Sequence, residues 1–376
     1  MASFNHIRVG LIGFGVGKLY AAALRSLRLY YPDMPEVELI AVATASEESG
    51  KSALDHFGFK WHTMDYQKLL ASDDINVVVI ATPTYLHREM LINSLETEKA
   101  IYMDKPIAMN LAEAHEILTV AKKNRRDAQM IFEFRFCPAL QYAHNLIQQG
   151  RLGDIYAFRA VYYRSSYCDV AKPLRWKGEL DKSGGGVLND YAPHLIDLML
   201  WLIGMPDQLT AQTRTFIHER PREKDKAGMA PIETDDHLLM QMSIPGGAIG
   251  TIEAGRLIHG AVNEMVLEIY GSRGSLSWNL MDPNYLSLAE EENKAEERGW
   301  TKIPTVQRYP DAAIPGADLP VGMMRFHIAS MADFIRNTLD GKPYDPGLEQ
   351  GARVQSVIEA AAVAARTNSW VDISKL

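Results

Sequence analysis

Four nearly unbroken apolar runs constrain the first third of the chain more than any other feature. They read "IRVGLIGFG" (7–15), "VELIAVA" (37–43), "INVVVIATP" (75–83) and "KAIYMDKPIA" (99–108). A strand covered on one face alternates apolar and polar side chains, whereas a strand covered on both faces reads as a continuous run. Helix-compatible spacing lies between the runs, at Leu19 to Leu29 and over "GKSALDHFG" (50–58). Buried strands alternating with helices predict a parallel sheet, and right-handed crossovers make it doubly wound.

After about residue 130 the pattern changes. "IYAFRAVYY" (155–163), "HLLMQMSI" (237–244), "GAIGTIEAG" (247–255), "EMVLEIYG" (264–271) and "GSLSWN" (274–279) read as strands without intervening helices. "GG" at 246–247 and "GSRG" at 271–274 read as hairpin turns, so an antiparallel sheet is expected. Amphipathic helices follow at about 325–340 and 347–366, and the stretch 281–325, rich in Pro, Glu and Gly, reads as a long excursion. A chain of 376 residues is long enough for two domains. The expectation is an α/β protein with a doubly wound N-terminal domain over 1–130 and a second domain with a mainly antiparallel sheet over 131–376.

The first strand-to-helix turn reads "GFGVGK". Free backbone N–H groups and the helix dipole make such a turn an anion site. Gly13 allows the tight turn and Gly15 lets a pyrophosphate approach the backbone, with Phe14 and Val16 beside them. The third glycine, Gly17, comes one position early against G-x-G-x-x-G, and Lys18 takes the sixth place. The context predicts a nicotinamide dinucleotide, NAD(P). Thr44 and Ser46 stand at the end of the second strand and Glu47 and Glu48 follow. Carboxylates there would repel a 2′-phosphate, which favours NAD; the two acids also suit the first turn of any helix. Thr82 and Pro83 end the third strand and are expected at the cofactor, as is Asp104 on the fourth. His87 either bonds the cofactor's surroundings or caps the following helix.

Lys105 raises the first catalytic question. A polar strand end stopped by proline is ordinary structure. At the carboxyl end of a parallel strand, however, a lysine stands beside the nicotinamide, where it can hold a substrate hydroxyl. The second constellation is "SGGGVLNDYAPHLIDLMLWLIG" (183–204), in which Asp190, His194 and Asp197 would form one polar stripe on an otherwise apolar helix. Three readings fit it: a general base with a tuning or substrate-binding acid, a metal site, or a satisfied hydrogen-bond network. The metal reading lacks a further ligand at suitable spacing; His237 is isolated. "YYRSSYCDVAKPLRWKGE" (162–179) has the aromatic and polar content of a polyol pocket or of an exposed loop. Tyr163, Arg175, Trp176 and Lys177 are its candidate substrate residues.

Composition excludes several classes. With 39 basic and 47 acidic residues the net charge is −8, which argues against nucleic acid as a partner. The two cysteines, Cys137 and Cys168, have no metal-ligand spacing and fit a reducing, cytoplasmic setting. The N-terminus does not read as a signal peptide, and the longest apolar stretches are too short to span a membrane.

Several of these motifs together resemble the Gfo/Idh/MocA family, which includes glucose-fructose oxidoreductase and inositol dehydrogenases. The similarity runs essentially end to end: "VGLIGFGVGK", "VVVIATPTYLH", "MDKPIA", "FEFRFCPA", "GGGVLNDYAPHLID" and "NSWVDI" each resemble a family segment. Asp104 replaces the more usual Glu of the family's E-K-P motif. The resemblance implies Lys105, Asp190 and His194 as the catalytic set, and Lys105, Asp190 and His194 as substrate contacts too. It implies an N-terminal Rossmann doubly wound parallel sheet and a C-terminal α+β domain with an open, mainly antiparallel sheet. It also implies hydride transfer between NAD(P) and a secondary hydroxyl of a sugar or cyclitol, no metal, and a homo-oligomer formed through the C-terminal sheet. "GRLIHGAVNE" (255–264) resembles a subgroup acting on sugars and glycosides, which points to a pyranose ring carbon, C3 among them, with inositol as runner-up. The contrasting expectation is a cofactor-sensing regulator of the same fold, without catalysis.

Overall fold

The structure is a computed structural model that describes residues 6–223, 227–291, 298–306, 309, 311–314 and 320–376. Parts of the 281–325 excursion therefore lie outside the described residues. The chain forms two compact units, Met1–Phe136 with Tyr309–Arg353, and Cys137–Arg308 with Val354–Leu376. After the second unit's sheet, the chain thus contributes 309–353 to the first.

The first unit holds a six-stranded sheet: β1 (His6–Ile12), β2 (Glu36–Ala43), β3 (Trp61–Thr63), β4 (Val77–Ile80), β5 (Ala100–Met103) and β6 (Gln129–Met130). All pairs are parallel and the order is β3-β2-β1-β4-β5-β6. The four apolar runs become β1, β2, β4 and β5. Val77, Val78, Val79 and Ile80 are all fully buried, which is why their run shows no alternation. The strand order reverses between β1 and β4, so the crevice at their carboxyl ends is the place for a ligand. Two backbone bonds pin that edge: Gly13 N donates to Ala43 O (2.9 Å) and Ala81 N to Ile12 O (2.8 Å).

The second unit holds a nine-stranded sheet with a small hairpin beside it. Its strands are β7 (Ile155–Tyr163), β8 (Gln208–Arg214), β9 (Glu219–Pro221), β10 (Met229–Pro231), β11 (His237–Ser243), β12 (Ile249–Gly255), β13 (Glu264–Gly271), β14 (Gly274–Asn279), β15 (Tyr285–Glu290), β16 (Thr301–Pro304) and β17 (Val371–Asp372). β9 and β10 form the hairpin; the others run β16-β15-β14-β13-β7-β12-β11-β8-β17. Pairing is antiparallel except between β7 and β12. Alternate residues of β11 (Leu238, Met240, Met242) are buried while Leu239 and Gln241 are exposed, so one face is covered and one is open. The helices Pro138–Gln148 and Ala192–Ile203 pack on the covered side. Leu239, Ile249 and Tyr270 stand on the exposed side with the Arg159–Glu268 ion pair (2.9 Å).

Among the described residues no helix is long and apolar enough to cross a membrane. Cys137 is buried, Cys168 is half-buried, and neither is in a disulfide.

Candidate active site

The dinucleotide-binding turn of the first unit follows β1. Gly13 sits at φ +94°, and a Cβ there would fall 2.3 Å from Ala81 O and 2.9 Å from the Thr82 methyl. Glycine is required on both counts. Above Gly15 there is open space, with nothing within 4 Å of a Cβ position. Gly17 is buried, and its Cβ would lie 3.1 Å from the Leu11 side chain. It therefore does what the third glycine of the fingerprint does, one place early: it lets the helix Gly17–Tyr30 press close on β1.

That helix has Val16 at its N-cap, no side-chain cap and no acid in its first turn. Its leading N–H groups are thus left for an anion. Lys18 is exposed, its ammonium 5.3 Å from the Phe14 ring. Phe14 itself is core, edge-on to Phe57 (5.2 Å) and Phe59 (6.2 Å), and it supports the turn from below.

The other predicted cofactor residues divide by what their polar atoms already do. Thr44 is buried and donates to Ser46 O (2.9 Å), and Ser46 Oγ accepts from Ser49 N (3.2 Å) as cap of the helix Glu47–Phe57. Glu47 and Glu48 occupy the first turn of that helix and are exposed. Thr82 Oγ1, in contrast, is buried and has no hydrogen-bond partner among the described residues. Pro83 opens the short turn Thr84–Leu86. An uncapped helix, an open glycine and an orphaned hydroxyl at one sheet edge fit a dinucleotide.

His87 is fully buried, and both ring nitrogens face backbone carbonyls: Nδ1 meets Pro106 O (2.7 Å) and Nε2 meets Thr82 O (2.9 Å). The ring ties the ends of β4 and β5 together and is committed to the chain itself. Burial pushes its pKa down. Asp104 is buried, accepts from Lys105 N (2.8 Å), and is held above the usual carboxylate range by that burial. Lys105 follows, half-buried, and joins Pro106 through a cis peptide.

A second cluster of predicted site residues lies in the second unit. Asp235 is the residue that shapes it, and sequence reasoning passed over it. Its carboxylate accepts from Gly186 N (2.7 Å) and Leu188 N (2.9 Å), which fixes the glycine run to β11's leading edge. A Cβ on Gly186 would lie 1.8 Å from Asp235 O, and one on Gly185 2.5 Å from Asn189 Oδ1. The single helix expected after the three glycines of 183–204 is in fact two segments, Val187–Asp190 and Ala192–Ile203, joined at Tyr191. Pro193 explains the break, since proline starts a helix more readily than it continues one. Asp190 and His194 thus sit on successive segments, not on one stripe, and Asp197 is buried with His194 in the second.

Asp190 pairs with Lys177 (2.7 Å). Burial alone would lower the Lys177 pKa, but the charge and hydrogen bond of Asp190 outweigh it, and the net direction is up. The ammonium also lies 5.5 Å over the Trp176 ring, while Arg175 points to solvent. Tyr191 shares a hydrogen bond with Ser166 (2.9 Å). Tyr162, not Tyr163, stands beside this cluster, its ring 5.1 Å from Tyr191 and 6.1 Å from His194. Tyr163 faces the other side of the sheet, 6.2 Å from His237, which bonds Glu253 (2.9 Å). Successive strand residues point to opposite faces, so a one-residue error exchanges the faces. Only the alternation of β7 read against its neighbours could have separated the two tyrosines. Among the described residues no group of three His, Cys, Asp or Glu side chains could hold a metal ion.

Two family models match the chain. One, an oxidoreductase family with an NAD-binding Rossmann fold, covers residues 7–132; the other, the GFO/IDH/MocA C-terminal domain, covers 140–277. The chain belongs to the Gfo/Idh/MocA family of oxidoreductases. Levoglucosan dehydrogenase of Pseudarthrobacter phenanthrenivorans is 30% identical over 99% of both chains. A solved structure of levoglucosan dehydrogenase in complex with NADH superposes with a TM-score of 0.93, covering 98% of this chain and 99% of the other. An inositol dehydrogenase homologue from Azotobacter vinelandii, solved with NAD+, shares the fold at 21% identity and a TM-score of 0.81 over 97% of each chain. As a Gfo/Idh/MocA member, the chain is an NAD-binding oxidoreductase, and its two-unit α/β architecture is that of the family.

Proposed function

We propose that this chain is an NAD-dependent dehydrogenase acting on a secondary hydroxyl of a sugar, glycoside or cyclitol, with a pyranose ring carbon such as C3 as the reacting centre. The observation that carries the reading is a buried His194 four residues after an ion-paired Asp190, on two short helices of mostly apolar residues, in a chain whose other unit binds NAD. The full-length likeness to levoglucosan dehydrogenase supports the sugar as substrate. The exposed Glu47 and Glu48 support NAD over NADP, because they repel a 2′-phosphate.

In this reading Gly13, Gly15 and the first N–H groups of the helix Gly17–Tyr30 hold the pyrophosphate, and Thr82 offers its hydroxyl to the cofactor. The bound nicotinamide supplies the hydride acceptor. His194, neutral, takes the proton from the substrate hydroxyl. Lys105 donates a hydrogen bond to the same oxygen and stabilises its developing charge. Asp190, with Lys177, orients a neighbouring hydroxyl, and the Trp176 and Tyr162 rings cover C–H surface.

The test is the appearance of reduced nicotinamide when purified protein meets NAD or NADP and a panel of inositols, hexoses, anhydrosugars and glycosides. Turnover of one sugar with NAD is the expected result. Cofactor binding without turnover of any member would favour the regulatory protein instead. The apolar side chains on the open sheet face suit a homo-oligomer, and light scattering on the purified protein measures its size.

A further inference from the structure

The segment after β7 carries more positive charge than its surroundings neutralise. Lys177 is paired with Asp190, and Arg256 with Asp236 (2.7 Å). Arg164, Lys172, Arg175 and Arg220 have no ion-pair partner among the described residues. Arg220 is buried and gives its guanidinium to the backbone carbonyls of Tyr167, Asp169 and Lys172, so it contributes field but is not open to a ligand. The other three are at least partly accessible.

The geometry places these charges beside Tyr191, which joins the segments that carry Asp190 and His194. Arg164 lies two residues beyond Tyr162 and so on the same side of the strand's path, with its guanidinium 5.8 Å over the Tyr191 ring. Its Nε is buried and has no hydrogen-bond partner among the described residues. Lys172 donates to Ser166 O (2.8 Å), the residue whose hydroxyl bonds Tyr191, and its ammonium sits 4.8 Å over the Tyr167 ring. That same ring is approached by Arg220 (5.2 Å) and Arg256 (4.5 Å). Burial first, then the charges of Arg175, Arg220 and Arg164, push the Lys172 pKa down, with Asp169 alone opposing. Clustered cations repel one another, and a chain with more acids than bases overall has carboxylates to spare elsewhere. A bound anion relieves the repulsion, and guanidinium forks match the oxygens of phosphate and carboxylate.

We propose that Arg164, Lys172 and Arg175 form a subsite for an anionic substituent, phosphate or carboxylate, on the sugar this protein oxidises. That the anion belongs to a substrate rests on the dehydrogenase reading above; the anion site does not.

The experiment uses the full chain saturated with NAD. Initial rates are compared for a neutral hexopyranose, its 6-phosphate and its uronate, and inorganic phosphate binding is followed by calorimetry, in wild type and in Arg164→Gln and Lys172→Gln. The 6-phosphate and uronate arms distinguish the two anions. The expected result is a preference in kcat/KM for one anionic sugar over the neutral parent, falling by roughly 10- to 100-fold in each variant, as for loss of one charge-assisted contact. Phosphate affinity should weaken in parallel, and the preference should shrink as salt is added. If the neutral sugar is oxidised at least as well as both anionic ones, and neither variant alters phosphate binding, the subsite is overturned and the dehydrogenase stands. If no sugar is oxidised but phosphate binds wild type and not the variants, the anion site stands and the dehydrogenase reading falls.

Discussion

Lys105 and His194 are the two side chains to which the proposed reaction assigns proton chemistry. Lys105→Ala and His194→Ala should each lower kcat by roughly 10²–10⁴-fold, the usual range for general acid–base groups, with NAD affinity nearly unchanged. Stopped-flow turnover beside a fluorescence titration of NAD measures both, and a variant that keeps wild-type turnover ends that residue's assignment. Gly13 is a different kind of constraint. Gly13→Ala brings a Cβ to 2.3 Å from a backbone oxygen at a positive φ, and backbone cannot give way as a flexible side chain can. A loss of about 2 kcal/mol or more is expected together with loss of NAD binding, read by denaturant unfolding and the same titration. An alanine variant as stable as wild type would show that the turn can relax. The pair Tyr162 and Tyr163 marks the limit of residue-level reading: composition points to both, and the parity of β7 decides between them.

At the scale of elements, the run from Ser183 to Ile203 depends on a residue far along the chain. Asp235 supplies two acceptors to the glycine run, and its burial holds its own pKa above the usual carboxylate range. Asp235→Ala leaves two buried N–H groups unpaired, which costs about 1–3 kcal/mol each. Activity should fall along with stability, because Asp190 and His194 ride on the two segments that follow. Asp235→Asn retains one acceptor and should recover part of both. Equal melting temperatures for all three proteins would contradict this account. The strands β1, β2, β7, β11, β12, β13 and β14 are legible in sequence because each carries an apolar run or a clean alternation. β3, β6, β8, β9, β10, β15, β16 and β17 do not stand out in the sequence. Most are short or lie at or near sheet edges, where no periodic core face writes itself into the side chains.

For the molecule as a whole, buried His327 and half-buried Asp333 set opposing pH trends in stability. Burial pushes His327 down to about 4 and Asp333 up to about 6. Between pH 6.5 and 4 the unfolded chain binds a proton at His327 that the folded chain refuses, so this group's contribution falls as pH falls. For Asp333 the folded chain binds the extra proton between about 6 and 3.8, and stability rises as pH falls through that window. His327→Gln isolates the first effect. From pH 7 to pH 5, wild type should lose about 2 kcal/mol relative to the variant in urea unfolding. Parallel pH curves would exclude a buried neutral His327.

Taken alone, the amino-acid order determined the class of fold, the dinucleotide turn and the identities of Lys105, Asp190 and His194 as candidates. These rest on local signals: apolar period, glycine where side chains cannot fit, and chemically costly residues inside apolar runs. Tertiary structure decided what depends on contacts between distant positions. It showed Gly17 against Leu11, His87 bridging two strand ends, Asp235 holding the glycine run, and Tyr162 rather than Tyr163 beside His194. The reason is physical. A side chain's burial and hydrogen-bond partners are properties of its neighbours in space, and periodicity along the chain reports only which way it faces.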